Sequence, residues 1–319
     1  MAFGVGIGHG DGISGAPDAG QAGQRLVVLV LSHNKKAETL RCLESVARLR
    51  YQPRDVLVVD NGSTDGSADA VAATHPDVVL IRSAENLGAA GGRNLGIRSA
   101  AQGGGYGYML FLDDDTIVHE RMADELVAVL RADPSIGIAT PKGYRLGEGG
   151  IIASAGGMHV RLGRGIIVDV GAGEVDRGQF NQSGPVDACV GFALLARAEA
   201  LAAVGGFDER YNPYGWEEVD FSLRVRRAGF SIHYVPSAVV YHAGGTPGRG
   251  QRVAAYERGK SVNYMRLMRT YASPLQWAGF TLSVPLRAGR VLLGQLARGE
   301  WRAARARIAG FLEGLRHRS

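Results

Sequence analysis

The feature of this chain that most constrains its fold is a regular alternation of β-branched runs and helix-like segments that begins at Arg25. Such an alternation is typical of βαβ units, in which helices cover both faces of a parallel sheet. The 319 residues suffice for one large α/β domain with appendages or for two domains. The predicted strands are RLVVLVLS (25–32), DVLVVD (55–60), VVLIR (78–82) and YMLFLD (108–113), and the predicted helices between them include AETLRCLESVARLR (37–50) and GGRNLGIRSAAQ (91–102).

Polar side chains stand where three of these strands end. They are Ser32-His33-Asn34, Asp60-Asn61-Gly62-Ser63 and Asp113-Asp114-Asp115. In an open parallel sheet the ligand lies beyond the carboxyl ends of the strands. The sequence therefore predicts that residues spread over about eighty positions converge on one crevice.

The pattern becomes less regular after residue 131. A glycine-rich stretch, 147–184, holds two apolar runs around RLGRG and predicts a hairpin or an irregular antiparallel excursion. The later segments are a predicted buried strand (187–198), a helix ending at a glycine (217–229), an extended segment (231–242) and two helical stretches (252–271 and 274–316).

The N-terminal residues 1–24 are rich in glycine and lack the basic and apolar regions of a secretory signal. Their composition predicts a disordered tail, because it offers too little apolar area to offset the cost of ordering. Cys42 and Cys189 lie too far apart for a short metal or redox motif. We therefore expect both to be small buried residues in a reducing, cytoplasmic compartment.

Charge is distributed unevenly along the chain. Residues 249–319 hold fourteen basic and three acidic residues, a net charge of +11, whereas 1–248 carry −6. A basic extension of this kind favours a polyanionic partner, either nucleic acid or the inner face of an anionic plasma membrane. Arg287 and Arg290 interrupt the apolar part of 274–297, so the segment is expected to form a core-packing hairpin or an interfacial helix rather than a membrane span.

The run FLDDDT (111–116) places three like charges together, which repel unless a cation, a partner or water absorbs them. Such a run is compatible with a solvated turn, a Ca²⁺ loop, a Mg²⁺ site of a phosphoryl enzyme, or a metal anchor for a nucleotide diphosphate. In an extended segment Asp113 and Asp115 point to one side and Asp114 to the other. The pair of carboxylates can then share one hard divalent ion with a diphosphate.

Five ordered motifs extend this interpretation: VLSHNKKAETLRCLESV, VVDNGSTDGS, ENLGAAGGRNLG, FLDDDT and YGWEEVDFSLRVRRAGF, followed by YH. Together they resemble the inverting nucleotide-sugar glycosyltransferases of family 2, which have the GT-A fold. The resemblance covers about residues 25–245 and is greatest to bacterial rhamnosyltransferases and galactofuranosyltransferases of cell-surface polysaccharide assembly. It implies a GT-A domain over 25–248 and a basic helical extension over 249–319.

The resemblance also implies roles for individual positions. Asp60 matches the carboxylate that hydrogen-bonds the pyrimidine of the donor, and Asp113, Asp115 and His242 match the metal shell, with Mn²⁺ favoured by the imidazole and Mg²⁺ expected to work. His33 stands where family members often carry Tyr. The implied donor-binding residues are Ser32, His33, Asn34, Asp60, Asn61, Gly88, Arg93, Asn94, Asp113 and Asp114.

In the GWEEVDF motif the resemblance implies that Glu218 is the general base, with Glu217 as the alternative, where relatives usually have Asp at the second position. Trp216 and Asp220 are the candidate acceptor-binding residues. Each also has a structural explanation, because Asp220 has the spacing to pair with Arg224 and Trp216 can be a core residue. His33, Arg93, Asn94 and His242 likewise have structural explanations, as loop, turn or strand-end residues.

The expected reaction is therefore metal-dependent transfer of a sugar, with rhamnose from dTDP-rhamnose as the first hypothesis and a UDP-sugar as the second. The expected acceptor is a hydroxyl of a saccharide or polyprenyl-linked molecule, and the expected location is the inner face of the plasma membrane. A nucleotidyltransferase acting on sugar phosphates also uses a metal-bound D-x-D, but no basic phosphate-binding loop follows the first strand here. A nucleic-acid-binding module is disfavoured because the basic extension does not interleave aromatic with basic residues.

Overall fold

The computed structural model describes residues 24–103, 105–213, 215–244 and 251–316. The chain forms two compact units. The first contains the described residues up to Met158 together with 169–209 and 217–244. The second contains 159–168, 210–216 and the described residues after Gly244. The predicted disordered tail lies outside the described residues except for Gln24.

A ten-stranded mixed sheet forms the centre of the first unit. Its strand order is β10-β12-β6-β11-β4-β1-β2-β3, with β5 paired to β12 and β7 to β6, whereas β8 pairs with β9 alone. The strands β4, β1, β2 and β3 are mutually parallel, and β11 runs antiparallel between β4 and β6. The strands are β1 Leu26–Ser32, β2 Arg54–Asp60, β3 Val79–Arg82, β4 Tyr108–Asp113, β5 Thr116–Val118, β6 Ile136–Arg145, β7 Ile152–Ala155, β8 Met158–Arg161, β9 Ile166–Asp169, β10 Gly184–Pro185, β11 Ala193–Arg197 and β12 Ser231–His242.

Helices pack on both faces of this sheet, as the alternating sequence predicts. One buried apolar cluster joins the strands to α1, α2 and α4, and a second joins them to α3, α5 and α6. Gly92 and Gly96 let α3 approach the strands closely, since an added Cβ would collide with Leu31 and Leu29. The helices are α1 Lys36–Ala47, α2 Ser67–Thr74, α3 Gly88–Gln102, α4 Met122–Ala132, α5 Ala198–Val204 and α6 Glu217–Arg227.

The prediction of a mostly parallel sheet flanked by helices is confirmed, whereas several element boundaries differ. The strand predicted over 187–198 begins only at Ala193, because 187–192 form no continuous strand and the carbonyl of Gly191 accepts a hydrogen bond from Arg93 instead. The glycine-rich stretch contains the short strands β7, β8 and β9, in agreement with an irregular antiparallel excursion.

The second unit is built mainly from three helices, α7 Gln251–Tyr271, α8 Pro274–Ala297 and α9 Trp301–Arg316. A capping box between Ser273 and Gln276 starts α8. The helix predicted over 274–316 is divided at residues 298–300, where Gly299 adopts a φ of 73°. No helix in the described part of the chain combines the length and the apolarity that a bilayer-spanning segment needs.

Candidate active site

Two carboxylates and an imidazole meet at the carboxyl ends of the central strands. One ligand atom each from Asp113, Asp115 and His242 lies within 4.8 Å of the others. Asp113 is the last residue of β4. His242 is the last residue of β12 and pairs with Thr116, the residue that follows Asp115. Antiparallel pairing of β5 with β12 therefore brings the histidine to the acidic run from more than 120 residues away.

Asp115 is the most constrained member of this cluster. Its side chain is 7 % exposed, with Oδ1 3.1 Å from His242 Nε2 and Oδ2 2.8 Å from Lys35 Nζ. Burial alone raises the pKa of Asp115, but the contacts with His242 and Lys35 outweigh it and lower that pKa. Burial likewise opposes the charged form of His242, and the bond to Asp115 raises its pKa.

Lys35 is a site residue that sequence reasoning missed. Its ammonium bridges Asp114 Oδ1 at 3.1 Å and Asp115 Oδ2 at 2.8 Å. Asp114 also accepts a hydrogen bond from the backbone N–H of His33. Burial raises the pKa of Asp114 to about 7 against the lowering effect of Lys35. The only sequence signal was a lysine directly after the polar end of β1, and it indicated a helix start equally well.

The donor set of this cluster fits a hard divalent cation. Mg²⁺ and Mn²⁺ prefer carboxylate oxygens, and Mn²⁺ also accepts an imidazole nitrogen. Asp113, Asp115 and His242 would hold such an ion, and Asp113 remains partly exposed on the side where a further ligand can approach, with 34 % of its side chain accessible. The predicted D-x-D pair and the distant histidine are thus brought together.

Residues at the ends of β1 and β2 form a second group beside the acidic run. His33 Nδ1 lies 2.9 Å from Asn61 O. Asp60 is 4 % exposed, and its Oδ2 accepts a hydrogen bond from Ser63 N at 3.3 Å. Its Oδ1 is buried and has no hydrogen-bond partner among the described residues. A buried acceptor without a donor is costly, so this oxygen suits a donor group supplied by a ligand.

Other predicted donor-binding residues hold the backbone around this group. Asn61 Nδ2 donates to Gly88 O at 3.1 Å, and Asn61 Oδ1 accepts from Leu87 N at 2.9 Å, which ties the end of β2 to the start of α3. Ser32 is buried and bonds to Thr39 of α1 at 2.8 Å. Asn34 adopts a φ of 53°, and its Oδ1 accepts a bond from Thr64 N at 2.7 Å.

Arg93 connects the acidic run to the beginning of α6. Its guanidinium donates to Asp113 Oδ1 at 2.9 Å, to Glu217 Oε1 at 3.0 Å and to Gly191 O at 2.9 Å. The arginine side chain is 3 % exposed, and that of Glu217 is 8 % exposed. A buried guanidinium of this kind needs such partners, because an unpaired buried charge is strongly destabilising. Arg93 therefore positions Asp113 and Glu217 rather than presenting a free cation to a ligand.

The two candidate bases consequently have different surroundings. Glu217 is buried and paired with Arg93. Glu218 is half-buried, and its carboxyl carbon lies 3.7 Å from the position that a Cβ on Gly191 would occupy. Both belong to the first turn of α6. Gly191 keeps the space beside Glu218 open.

Three predicted residues lie outside the acidic cluster. Asn94 binds the backbone N–H and C=O of Phe207, each at 2.8 Å. Asp220 accepts a hydrogen bond from Arg224 at 2.7 Å, which confirms the pairing predicted from their spacing. Trp216 belongs to the second unit, has a φ of 76° and donates to Lys260 O at 2.9 Å. Its part in acceptor binding stays a prediction.

Comparison with known proteins identifies relatives of this chain. Residues 27–202 match the family model described as glycosyl transferase family 2. The chain is 30% identical over 310 residues to N-acetylglucosaminyl-diphospho-decaprenol L-rhamnosyltransferase of Mycobacterium tuberculosis, covering 91% of this chain and 98% of that protein. It is 24% identical to poly-beta-1,6-N-acetyl-D-glucosamine synthase of Staphylococcus aureus, over 67% of this chain and 49% of that protein.

Solved structures with the same fold include two glycosyltransferases. GalNAc-T7 with UDP, GalNAc and Mn²⁺ superposes with a TM-score of 0.60 at 16% identity, covering 79% of this chain and 49% of that chain. The mannosyltransferase PcManGT from Pyrobaculum calidifontis, in complex with GDP-Man and Mn²⁺, gives 0.56 at 16% identity and covers 100% and 92% of the two chains. At this identity the similarity shows a shared GT-A-type fold.

Proposed function

Because the chain belongs to glycosyltransferase family 2, we propose that it transfers a sugar from a nucleotide diphosphate donor to an acceptor hydroxyl in cell-surface glycan synthesis. The observation that carries this proposal is the convergence of Asp113, Asp115 and His242 beside the unsatisfied buried oxygen of Asp60. The first three residues suit the metal and diphosphate of a donor, and Asp60 suits the N–H of a pyrimidine.

In this proposal the residues at the strand ends bind and orient the donor. Asp60 Oδ1 accepts the hydrogen bond of the base, and His33 and Asn34 flank it. A Mn²⁺ or Mg²⁺ ion held by Asp113, Asp115 and His242 would supply Lewis-acid stabilisation of the leaving diphosphate. Arg93 keeps Asp113 in place through its bond at 2.9 Å.

Glu218 is the proposed general base. Its carboxylate takes the proton of the acceptor hydroxyl while that oxygen bonds to the anomeric carbon, and the bond from this carbon to the diphosphate breaks. Attack from the face opposite the diphosphate inverts the anomeric centre. Glu217 serves as a positioning residue, because Arg93 already holds its carboxylate.

The relatives support a particular donor and acceptor. The similarity to an L-rhamnosyltransferase supports dTDP-rhamnose as the first donor hypothesis, with a UDP-sugar as the second. The name of that relative, a transferase to N-acetylglucosaminyl-diphospho-decaprenol, also supports a polyprenyl-diphosphate-linked saccharide as acceptor. Such an acceptor resides in a membrane, so a peripheral position at the inner face of the plasma membrane follows as part of the proposal.

The surface of α8 supports this membrane association. Leu275, Leu282 and Leu293 are 83%, 79% and 67% exposed, and their spacing of seven and eleven residues places them on one face of the helix. The helix contains no acidic residue, and Arg290 is exposed on it. An exposed apolar stripe with basic neighbours suits the interfacial layer of an anionic bilayer.

The test of the proposed function is calorimetry with candidate donors in the presence of Mn²⁺, followed by an assay for released nucleoside diphosphate. We expect uptake of one pyrimidine-diphosphate sugar by the wild type and its loss in Asp115→Asn. Asp69→Asn is the matched control, because Asp69 is an exposed carboxylate in α2 that pairs with Arg82. Release of pyrophosphate from a nucleoside triphosphate would instead indicate a nucleotidyltransferase.

A further inference from the structure

A cleft of about 700 Å³ lies at the carboxyl end of β6, and none of Asp113, Asp115 and His242 is among its lining residues. Its walls include His119, Tyr144, Arg145, Asp176 and Tyr241. Tyr241 and His242 are consecutive residues of strand β12, so their side chains point to opposite faces of the sheet. His242 contributes to the acidic cluster and Tyr241 to this cleft. Tyr144, the register partner of Tyr241, lines the cleft from the same face, whereas Arg145, the register partner of His242, borders it at the strand end.

Two polar side chains that line the cleft, those of Asp176 and Asn181, are held in place by hydrogen bonds from a buried lysine. Lys142 is 2% exposed, and its ammonium donates to Asp176 Oδ2 at 2.9 Å and to Asn181 Oδ1 at 2.6 Å. The hydroxyl of Tyr144 donates to the same oxygen of Asp176 at 2.5 Å. These bonds connect β6 to the loop that follows β9. These bonds hold the lining side chains in one geometry before a ligand binds.

Two tyrosine side chains, those of Tyr144 and Tyr241, also line the cleft. The rings of Tyr144 and Tyr241 stack with centroids 5.8 Å apart and planes inclined by 29°. Tyr241 is 38% exposed, so an edge and part of a face remain accessible. Gly149, in the loop that borders the cleft, leaves open space, since an added Cβ would meet no atom within 4 Å.

The charges of the cleft balance one another. Arg145 pairs with Glu148 at 3.3 Å, and Asp176 pairs with Lys142 at 2.9 Å. An anionic ligand such as a phosphate would meet the carboxylates of Asp176 and Glu148 as well as the guanidinium of Arg145. A neutral ligand with many hydroxyl groups and an apolar C–H face matches amide and carboxylate acceptors beside the exposed ring of Tyr241.

We propose that this cleft is a second saccharide-binding site, which takes one or two neutral sugar rings against Tyr241. The inference rests on the proposed function only for the origin of the saccharide, namely the glycan on which the enzyme acts. Binding there would keep the glycan near β12 while the acidic cluster on the other face holds the donor.

The experiment is saturation-transfer NMR on the full-length chain with the methyl glycosides of N-acetylglucosamine and rhamnose, without donor or metal. We expect millimolar binding that becomes about tenfold weaker in Tyr241→Ala, through loss of the stacking surface. Gly149→Gln should weaken binding to a similar degree by filling the cleft. Gly184→Gln is the matched control, since its added Cβ also meets no atom within 4 Å but the residue lies outside the cleft.

Two further measurements decide between this site and the acidic cluster. Saturating nucleoside diphosphate with Mn²⁺ should leave glycoside binding unchanged, because that ligand would occupy the acidic cluster and not the cleft; displacement of the glycoside by it overturns the proposal. Binding that survives both cleft variants, or no saturation transfer with either glycoside, overturns the proposal. Calorimetry of nucleoside diphosphate with Mn²⁺ on the same wild-type sample reports on the proposed function separately, so failure of one is distinguishable from failure of the other.

Discussion

The imidazole of His242 lies flat against the ring of Phe192, with centroids 4.4 Å apart and planes inclined by 17°. The stacking fixes the ring plane and holds Nε2 at 3.1 Å from Asp115 Oδ1. Gly143 makes this arrangement possible, because a Cβ there would come within 2.6 Å of the Phe192 ring. Phe192 thus acts on the candidate metal site through the orientation of a ligand rather than as a ligand itself.

Replacing Phe192 by Ala should weaken Mn²⁺ binding by about tenfold or more, as loss of ligand-orienting partners does in other metal sites. The reason is that His242 gains rotational freedom. Titration of Mn²⁺ by calorimetry or electron paramagnetic resonance measures the effect, and Phe192→Tyr, which keeps a ring at this position, is the control. An unchanged affinity in Phe192→Ala would show that His242 needs no such support.

Arg93→Met should lower the free energy of unfolding by about 3–5 kcal/mol, because it leaves Glu217 and Asp113 without their buried cation. Urea unfolding at neutral pH measures this loss. The double variant Arg93→Met/Glu217→Met should recover part of the stability, since it removes an unpaired buried carboxylate. Equal stability of the single and double variants would contradict the assigned pairing.

Glu218→Gln should retain donor binding and lose transfer by about 10²–10⁴-fold, the usual contribution of a general base. Glu217→Gln should instead show its main effect in stability, because Glu217 is bonded to Arg93. Calorimetry with the donor and a transfer assay separate the two outcomes. Full transfer activity in Glu218→Gln would assign the base to another residue.

The triple variant Leu275→Ser/Leu282→Ser/Leu293→Ser should no longer sediment with liposomes containing anionic lipid, and it should remain folded because these side chains are exposed. The lost affinity comes from the apolar face of α8, so the wild type should retain part of its binding at high salt, where charge attraction is screened. Val168→Ser, an exposed apolar position on β9, is the control. Retention of the triple variant on liposomes would exclude this face.

Asp176 should make a pH-dependent contribution to stability. Its hydrogen bond from Tyr144 and its contact with Lys142 lower its pKa to about 2, below the usual value for an unfolded chain. The stabilisation is therefore complete above about pH 4 and is lost as the pH falls toward 2. We expect Asp176→Asn to be less stable than the wild type by about 1 kcal/mol at pH 7, with allowance for solvent screening, and the difference to shrink in acid. Thermal unfolding of both proteins at pH 7 and at about pH 2 tests this. An equal difference in stability at the two pH values would contradict it.

Much of the fold could be predicted from periodicity. The runs that become β1, β2 and β4 have apolar centres because both faces of the sheet are covered, and their composition alone indicates buried parallel strands. The polar residues at their carboxyl ends were predicted to converge because parallel strands end at the same edge of the sheet. Boundaries in the glycine-rich region were less predictable, since short strands such as β8 depend on their partners.

The side-chain pairings of the site followed only from tertiary structure. Local sequence identified Asp113 and Asp115 as chemically capable groups, because an acidic run is recognisable without a partner, and the resemblance to a known family added Glu217 and Glu218. Arg93 lies 124 residues before Glu217, and nothing local to either indicates that they meet. Electrostatic pairing and stacking depend on distances of a few ångströms, which strand register and helix packing set across the whole domain. Asp113 and Asp115 could therefore be named as candidate ligands from the local sequence, whereas the pairing of Glu217 with Arg93 was decided by the tertiary structure.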